Sequence, residues 1–181
     1  HTKVKAVDVL MQFLEGRGET GRVYPHNLTT SNRHTPFLDP IKQSNLCNEI
    51  HLPTSEDRTA VCCLSSLNLE YYDDWKDTTI VADLIRMLDN IIQYFIENSG
   101  DQISRARYSA SQERSLGLGA MGFHSLLQKH GVAWESDKAK EINDVVFSHI
   151  QKQAKTESLR LGKERGEAPD MEGTGMRNAH L

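Results

Sequence analysis

Between Asp83 and Asn98, in "DLIRMLDNIIQYFIEN", Leu84, Leu88, Ile91, Ile92 and Phe95 return at three- and four-residue intervals and share one face of a helix. Such a stripe is stable in water only against another apolar surface, so this chain has to fold around a core. Gly100 stands behind the helix as a stop. A second stripe, from Asp137 to Lys163, runs through Ile142, Val145, Val146, Ile150 and Leu159, with lysine and glutamate elsewhere. Ser115 to His130, carrying Leu118, Met121, Leu126 and Leu127, predicts a further helix closed by Gly131. Lys3 to Glu15 predicts another, through Val4, Val7, Leu10, Phe13 and Leu14, with Gly16 and Gly18 as its terminators.

Strand signals are fewer. "GRVYPHNL" (Gly21 to Leu28) predicts a short strand weakened by Pro25, and the polar, proline-containing tract from Thr29 to Ser44 reads as a loop. "NLCNEIHL" and "AVCCLSSLNL" are two extended stretches joined by the turn-like "PTSEDR". There is no internal repeat and no low-complexity tract. The balance is helix-rich with a few strands, hence α/β or α+β.

A length of 181 residues with 38% hydrophobic content suits a single domain, and a net charge of −4 leaves no basic surplus for a nucleic-acid backbone. Polynucleotide binding is disfavoured, while small anionic ligands are not. No apolar run reaches the roughly 20 residues a membrane span needs, and "HTKVKAVDVL" has no signal-peptide pattern, so a soluble, intracellular, cytoplasmic protein is expected. Three cysteines do not suit a secreted disulfide framework. They should be free thiols, a redox pair or ligands. The chain has no initiator Met and stops at "GMRNAHL", which suggests a piece of a longer polypeptide.

"GLGAMG" (Gly117 to Gly122) satisfies the dinucleotide pattern G-x-G-x-x-G, but the preceding "SRARYSASQERS" is polar where a buried strand is required. Glycines that let a helix start pack tightly are the better reading. Cys47, Cys62, Cys63 and His51 make a poor zinc set, because adjacent Cys62 and Cys63 would point to opposite faces of a strand. Buried cysteines acting as small hydrophobes are the plain alternative. In "KQSNLCNEIHLP", period-2 alternation would put Asn45, Cys47 and Glu49 on one face, and Leu46, Asn48 and Ile50 on the other. An active site would be laid out that way, and so could an ordinary loop.

The order of motifs adds something more specific. "ETGRVYPHNLTTSNRHTPF", "SNLCNEI", "AVCCLSSLNL", "RSLGLGAMGF" and a long helix leading to "GMRNAHL" together resemble the catalytic large subunit of class I ribonucleotide reductase. The resemblance runs from about Val7 to the last residue. It implies that residues 1–181 are one segment of a ten-stranded α/β barrel, with a central active-site loop and helices dominating the second half. The family's large subunit is several times longer, so this would be a middle portion.

Residue by residue, the resemblance implies that Cys47 becomes a thiyl radical that abstracts the 3′ hydrogen of the ribose. Glu49 would take the 3′-hydroxyl proton and Asn45 would hydrogen-bond the substrate hydroxyls. Leu46 and Asn48 complete the substrate-binding loop. Cys62 falls on one member of the redox-active dithiol, whose partner lies outside this chain, and Cys63 falls on a variable packing position. The implied activity is reduction of ribonucleoside diphosphates to deoxyribonucleotides, with the isolated chain inactive. Implied partners are the diphosphate substrate, the remaining parts of the large subunit in a homodimer, and a metal-containing small subunit that supplies the radical. No cofactor is expected in the segment itself, and thioredoxin or glutaredoxin would serve as external reductant. The alternatives are a cobalamin-dependent class II reductase and a non-catalytic, reductase-derived binding piece.

Overall fold

A computed structural model describes residues 3–179; His1, Thr2, His180 and Leu181, the last two belonging to the "RNAHL" motif, lie outside the described residues. Helix α1 spans Ala6–Thr20 and runs straight through Gly16 and Gly18, the expected terminators. A helical glycine costs only about 1 kcal/mol, whereas a helix ends where a residue turns left-handed. Gly21 does so, with φ 64° and its N–H donating to the Arg17 carbonyl. The strand expected over Gly21 to Leu28 does not form. Part of the expected loop is helix α2, Leu28–His34, started by Asn27, whose side chain accepts from the Thr30 N–H.

Strand β1, Cys63–Asn68, falls within the second extended stretch. After the short helix α3 (Tyr72–Trp75), α4 covers Ile80–Asn98 and α5 covers Ser104–Glu113. No apolar stripe marks α5, since "SRARYSASQE" is almost wholly polar. The helix expected over Ser115 to His130 is instead strand β2, Leu116–Met121, followed by helix α6, Phe123–Lys129. Left-handed Arg114 (φ 45°) and Gly122 (φ 79°) bracket the strand. β2 lies parallel to β1, Cys63 opposite Leu116 and Asn68 opposite Met121, which requires a crossover, and α4 supplies it by packing on both strands.

The "GLGAM" glycines therefore belong to a strand, not to a helix start. Close approach is still their purpose: a Cβ at Gly117 would lie 2.2 Å from Leu64 Cδ2 and 3.2 Å from Cys62 Sγ. Helix α7, Asp137–Arg165, closes the layer against α4. Leu67, Val81, Ile85, Leu88, Ile92 and Leu161 lie in the main core, and a smaller cluster gathers Phe37, Leu52, Ala168, Met171 and Ala179. No helix among the described residues is long and apolar enough to cross a membrane. Helix α1 buries none of its residues, and Val7, Leu10, Met11 and Leu14 stand exposed along it.

The segment after α7 is tied back to α4, α5, β2 and α7 by a series of hydrogen bonds, among them Leu116 N–H to the Ala179 carbonyl at 2.9 Å and Arg177 N–H to the Ser158 carbonyl at 3.1 Å. Asn178 donates from Nδ2 to Asp89 Oδ1 at 2.8 Å, and the Ala179 N–H donates to the Glu113 carbonyl at 3.2 Å. It also presses on α7 at Gly162, where a Cβ would fall 2.1 Å from the Gly175 carbonyl oxygen and 3.3 Å from the Arg177 nitrogen. Backbone cannot swing aside as a side-chain tip can. Gly162→Ala should therefore cost about 2 kcal/mol or more in denaturant unfolding. Gly18→Ala, in open space within α1, should instead stabilise by about 0.5 kcal/mol.

Candidate active site

The stretch around Cys47 is a turn, not a strand. The Asn48 N–H donates to the Asn45 carbonyl at 3.2 Å, and Asn48 takes φ 65°, a left-handed conformation that asparagine tolerates. Inside the turn, Asn45 Oδ1 accepts from the Glu49 N–H at 3.1 Å and from the Ile50 N–H at 3.0 Å. The expected alternation of Asn45, Cys47 and Glu49 on one face thus fails, because the pleat needs an extended backbone. These three residues share one tight turn instead, with Cys47 exposed at its crest. Because backbone donors occupy Oδ1, the amide orientation of Asn45 is fixed and Nδ2 is its remaining donor.

Asn45 forms part of the wall of a cleft of about 670 Å³, together with Ile50, Leu52, Arg58, Cys62 and Leu64. Asn45 and Cys62 are thus brought to one cavity. Cys47 and Glu49 are not among its lining residues, and Leu46 and Asn48 line an adjoining groove with Tyr24 and His26, Asn45 standing on the wall between the two.

Cys62 and Cys63 pack in opposite directions, as their adjacency requires. Cys63 packs on the main core and Cys62 on the smaller cluster at the cleft. Burial first, then Cys63 and the carboxylates of Glu113 and Glu49, push the Cys62 thiol up to about 12. At neutral pH it is a protonated S–H, a hydrogen donor rather than a nucleophile. Burial also raises the Cys63 thiol.

Beneath the cleft, Arg58 is almost fully buried, donating to Asp39 Oδ2 at 3.0 Å and to Asp170, while Glu113 Oε2 lies 3.5 Å from its Nη2. Neither carboxyl oxygen of Glu113 has a well-formed hydrogen bond, the Val61 backbone N–H offering only a weak one. Burial, reinforced by nearby Asp170, pushes Glu113 up to about 8 against the pull of Arg58. The contact with Arg58 is consequently a weak one, because the guanidinium is already engaged by two aspartates. Among the described residues no group of three His, Cys, Asp or Glu side chains is placed to hold a metal ion.

The profile of the family described as ribonucleotide reductase, barrel domain, matches residues 1–181. The chain belongs to that family. It is 48% identical over 189 residues to a Frog virus 3 (isolate Goorha) protein provisionally named ribonucleoside-diphosphate reductase large subunit, covering 100% of this chain and 33% of that one. It is 45% identical over 184 residues to the ribonucleoside-diphosphate reductase large subunit of Invertebrate iridescent virus 3, covering 98% and 29%. The solved class Id ribonucleotide reductase alpha subunit of Actinobacillus ureae superposes with a TM-score of 0.89 at 35% identity, over 95% of this chain and 34% of that one. The chain spans about a third of the length of these relatives. Its parallel strand pair and covering helices are a piece of the reductase α/β barrel.

Several residues around this cleft carry no functional signal in the sequence. Arg58 lies in "PTSEDR", whose residues signal only a turn, and Glu113 in a polar tract without periodicity. Only the three-dimensional meeting of residues 39, 58, 113 and 170 gives them meaning.

A glutamate ordinarily titrates near 4.5 and Glu113 near 8, so between those values the folded chain holds a proton that the unfolded chain has released. The stability contribution is full below about pH 4.5, falls as pH rises and levels off above about pH 8. Glu113→Gln, neutral throughout, should flatten that slope and raise Tm by several degrees at alkaline pH, read by thermal denaturation across the pH range.

Proposed function

We propose that this chain is the active-site-loop segment of a ribonucleoside-diphosphate reductase large subunit, one piece of its ten-stranded barrel, acting in deoxyribonucleotide synthesis in the cytoplasm. The observation that carries this is the arrangement of Asn45 and Cys62 on one cleft, with the Cys47 turn built directly on Asn45.

Cys47 carries the thiyl radical and removes the 3′ hydrogen of the bound ribonucleoside diphosphate. A thiol suits this step because its S–H bond is close in strength to an activated ribose C–H bond, so the transfer is reversible. Glu49, exposed on the same turn, accepts the 3′-hydroxyl proton. Asn45 offers Nδ2 to the substrate hydroxyls while its Oδ1 holds the loop. The 2′ C–OH bond is replaced by C–H and the hydroxyl leaves as water. Cys62 and a second thiol outside this chain supply two electrons and two protons and become a disulfide, which thioredoxin or glutaredoxin reduces. The raised Cys62 thiol supports this role, since it arrives at each cycle protonated.

A metal-containing small subunit supplies the radical, and no residue here is assigned to hold metal. The partners are that subunit, the rest of the large subunit and, in the assembled enzyme, a second large subunit. The cobalamin-dependent alternative is not favoured, because the relatives are named as large or alpha subunits of reductases.

The test uses the complete large subunit with its small subunit and follows cytidine diphosphate reduction. Cys47→Ser should reduce activity to background, because a serine O–H is too strong to exchange hydrogen with ribose. Cys62→Ser should abolish turnover, while Cys63→Ser should retain most of it. Activity surviving in Cys47→Ser would overturn the assignment.

A further inference from the structure

Behind the Cys47 turn runs a line of side chains that the reaction above does not use. His26 Nε2 lies 2.7 Å from Ser31 Oγ, Ser31 Oγ lies 3.1 Å from His51 Nδ1, and His51 Nε2 lies 3.1 Å from the Asn48 carbonyl. The two imidazole rings are 4.3 Å apart, centre to centre. A carbonyl can only accept, so His51 carries its proton on Nε2. In the neutral ring Nδ1 then accepts from the Ser31 hydroxyl, whose oxygen accepts in turn from His26. Donation runs one way along the line and ends on Asn48.

The middle of the line is fixed. Ser31 lies on α2, and the neighbouring Asn32 binds Ile41 twice, donating from Nδ2 to its carbonyl at 2.8 Å and accepting its N–H at 2.7 Å. Ile41 is only 3% exposed. Asn48, at the other end, adds an Nδ2 contact to the Pro25 carbonyl at 3.3 Å and takes the left-handed conformation that closes the turn after Cys47. Asparagine tolerates that conformation, and the two bonds to its carbonyl and amide hold it there.

We propose that Ser31 and His51 are positioning residues for the cysteine loop: the chain from His26 through Ser31 and His51 to the Asn48 carbonyl fixes the backbone that aims Cys47. This rests on the reductase reading for its catalytic consequence, though not for its structural one.

Hydrogen exchange in the complete large subunit tests the structural part whatever the activity. In Ser31→Ala, amide exchange over residues 45–51 should quicken about tenfold, with global Tm unchanged and Ser31→Thr restoring protection. With the small subunit added, Ser31→Ala and His51→Phe should lower kcat about tenfold with little change in KM, and the isotope effect with 3′-deuterated cytidine diphosphate should rise. A general loss of folded enzyme would not raise that isotope effect. Unchanged loop exchange in both variants, or kcat and isotope effect unchanged in an active enzyme, would overturn the proposal. A native assembly that does not reduce cytidine diphosphate, with loop exchange still quickened, would sink the reductase reading and leave the loop brace standing.

Discussion

The carboxylate of Asp89 is the interaction on which the rest of the structure hangs. It projects from α4, is fully buried, and receives Arg114 Nη2 at 2.7 Å, Arg165 Nη1 at 2.8 Å and Asn178 Nδ2 at 2.8 Å. Burial alone would raise its pKa, but Arg114 and the hydrogen bonds from Asn178 and Arg114 prevail and hold the carboxyl below the usual range. One side chain thereby joins α4, the entry to β2, the end of α7 and the segment beyond it. Removing one partner of a buried pair typically costs about 3–5 kcal/mol, because the other charge is left unmatched. Arg114 shows the connection most directly. It ends α5 in a left-handed conformation that glycine would adopt more easily, and its side chain is spent on Asp89.

That hub places β2, and β2 places the cleft. Gly117 lets β1 and the residue before it come close, so that Cys62 meets the cleft while Cys63 turns to the core. The smaller apolar cluster under Cys62 includes Ala168 and Met171, both delivered by the segment that follows α7. The chemistry proposed for Cys62 thus depends on contacts more than a hundred positions away. The Cys47 turn is built differently, from hydrogen bonds within residues 45–50 and a brace from residues 26–31. One half of the site is held by packing and the other by polar bonds.

Legibility in the sequence followed the strength of the local signal. The stripes of α4 and α7 were plain because each keeps a 3.6-residue period over many turns. Helix α5 was invisible because it buries Ser109, Ala110 and Glu113 rather than an apolar face. The segment from 115 to 130 misled because its leucines fit a helix as well as a strand, and the choice was made by β1 lying alongside Gly117 and Gly119. In α1, two glycines counted as stops were passed over, since composition does not fix the sign of φ.

The sequence by itself determined the family, through the order of its motifs, together with the two long helices and the opposed directions of Cys62 and Cys63. Those depend on near neighbours along the chain, where periodicity and adjacency act directly. Only the tertiary structure decided that Asn45 folds a turn rather than a pleat, that Arg58 and Glu113 meet beneath the cleft, and that His26, Ser31 and His51 stand in line behind Cys47. The turn is local, but a side chain that bonds backbone four and five residues on leaves no periodic trace in sequence, and the other two join residues whose contact is set by the packing of distant elements. A buried charge is stable only once that packing exists.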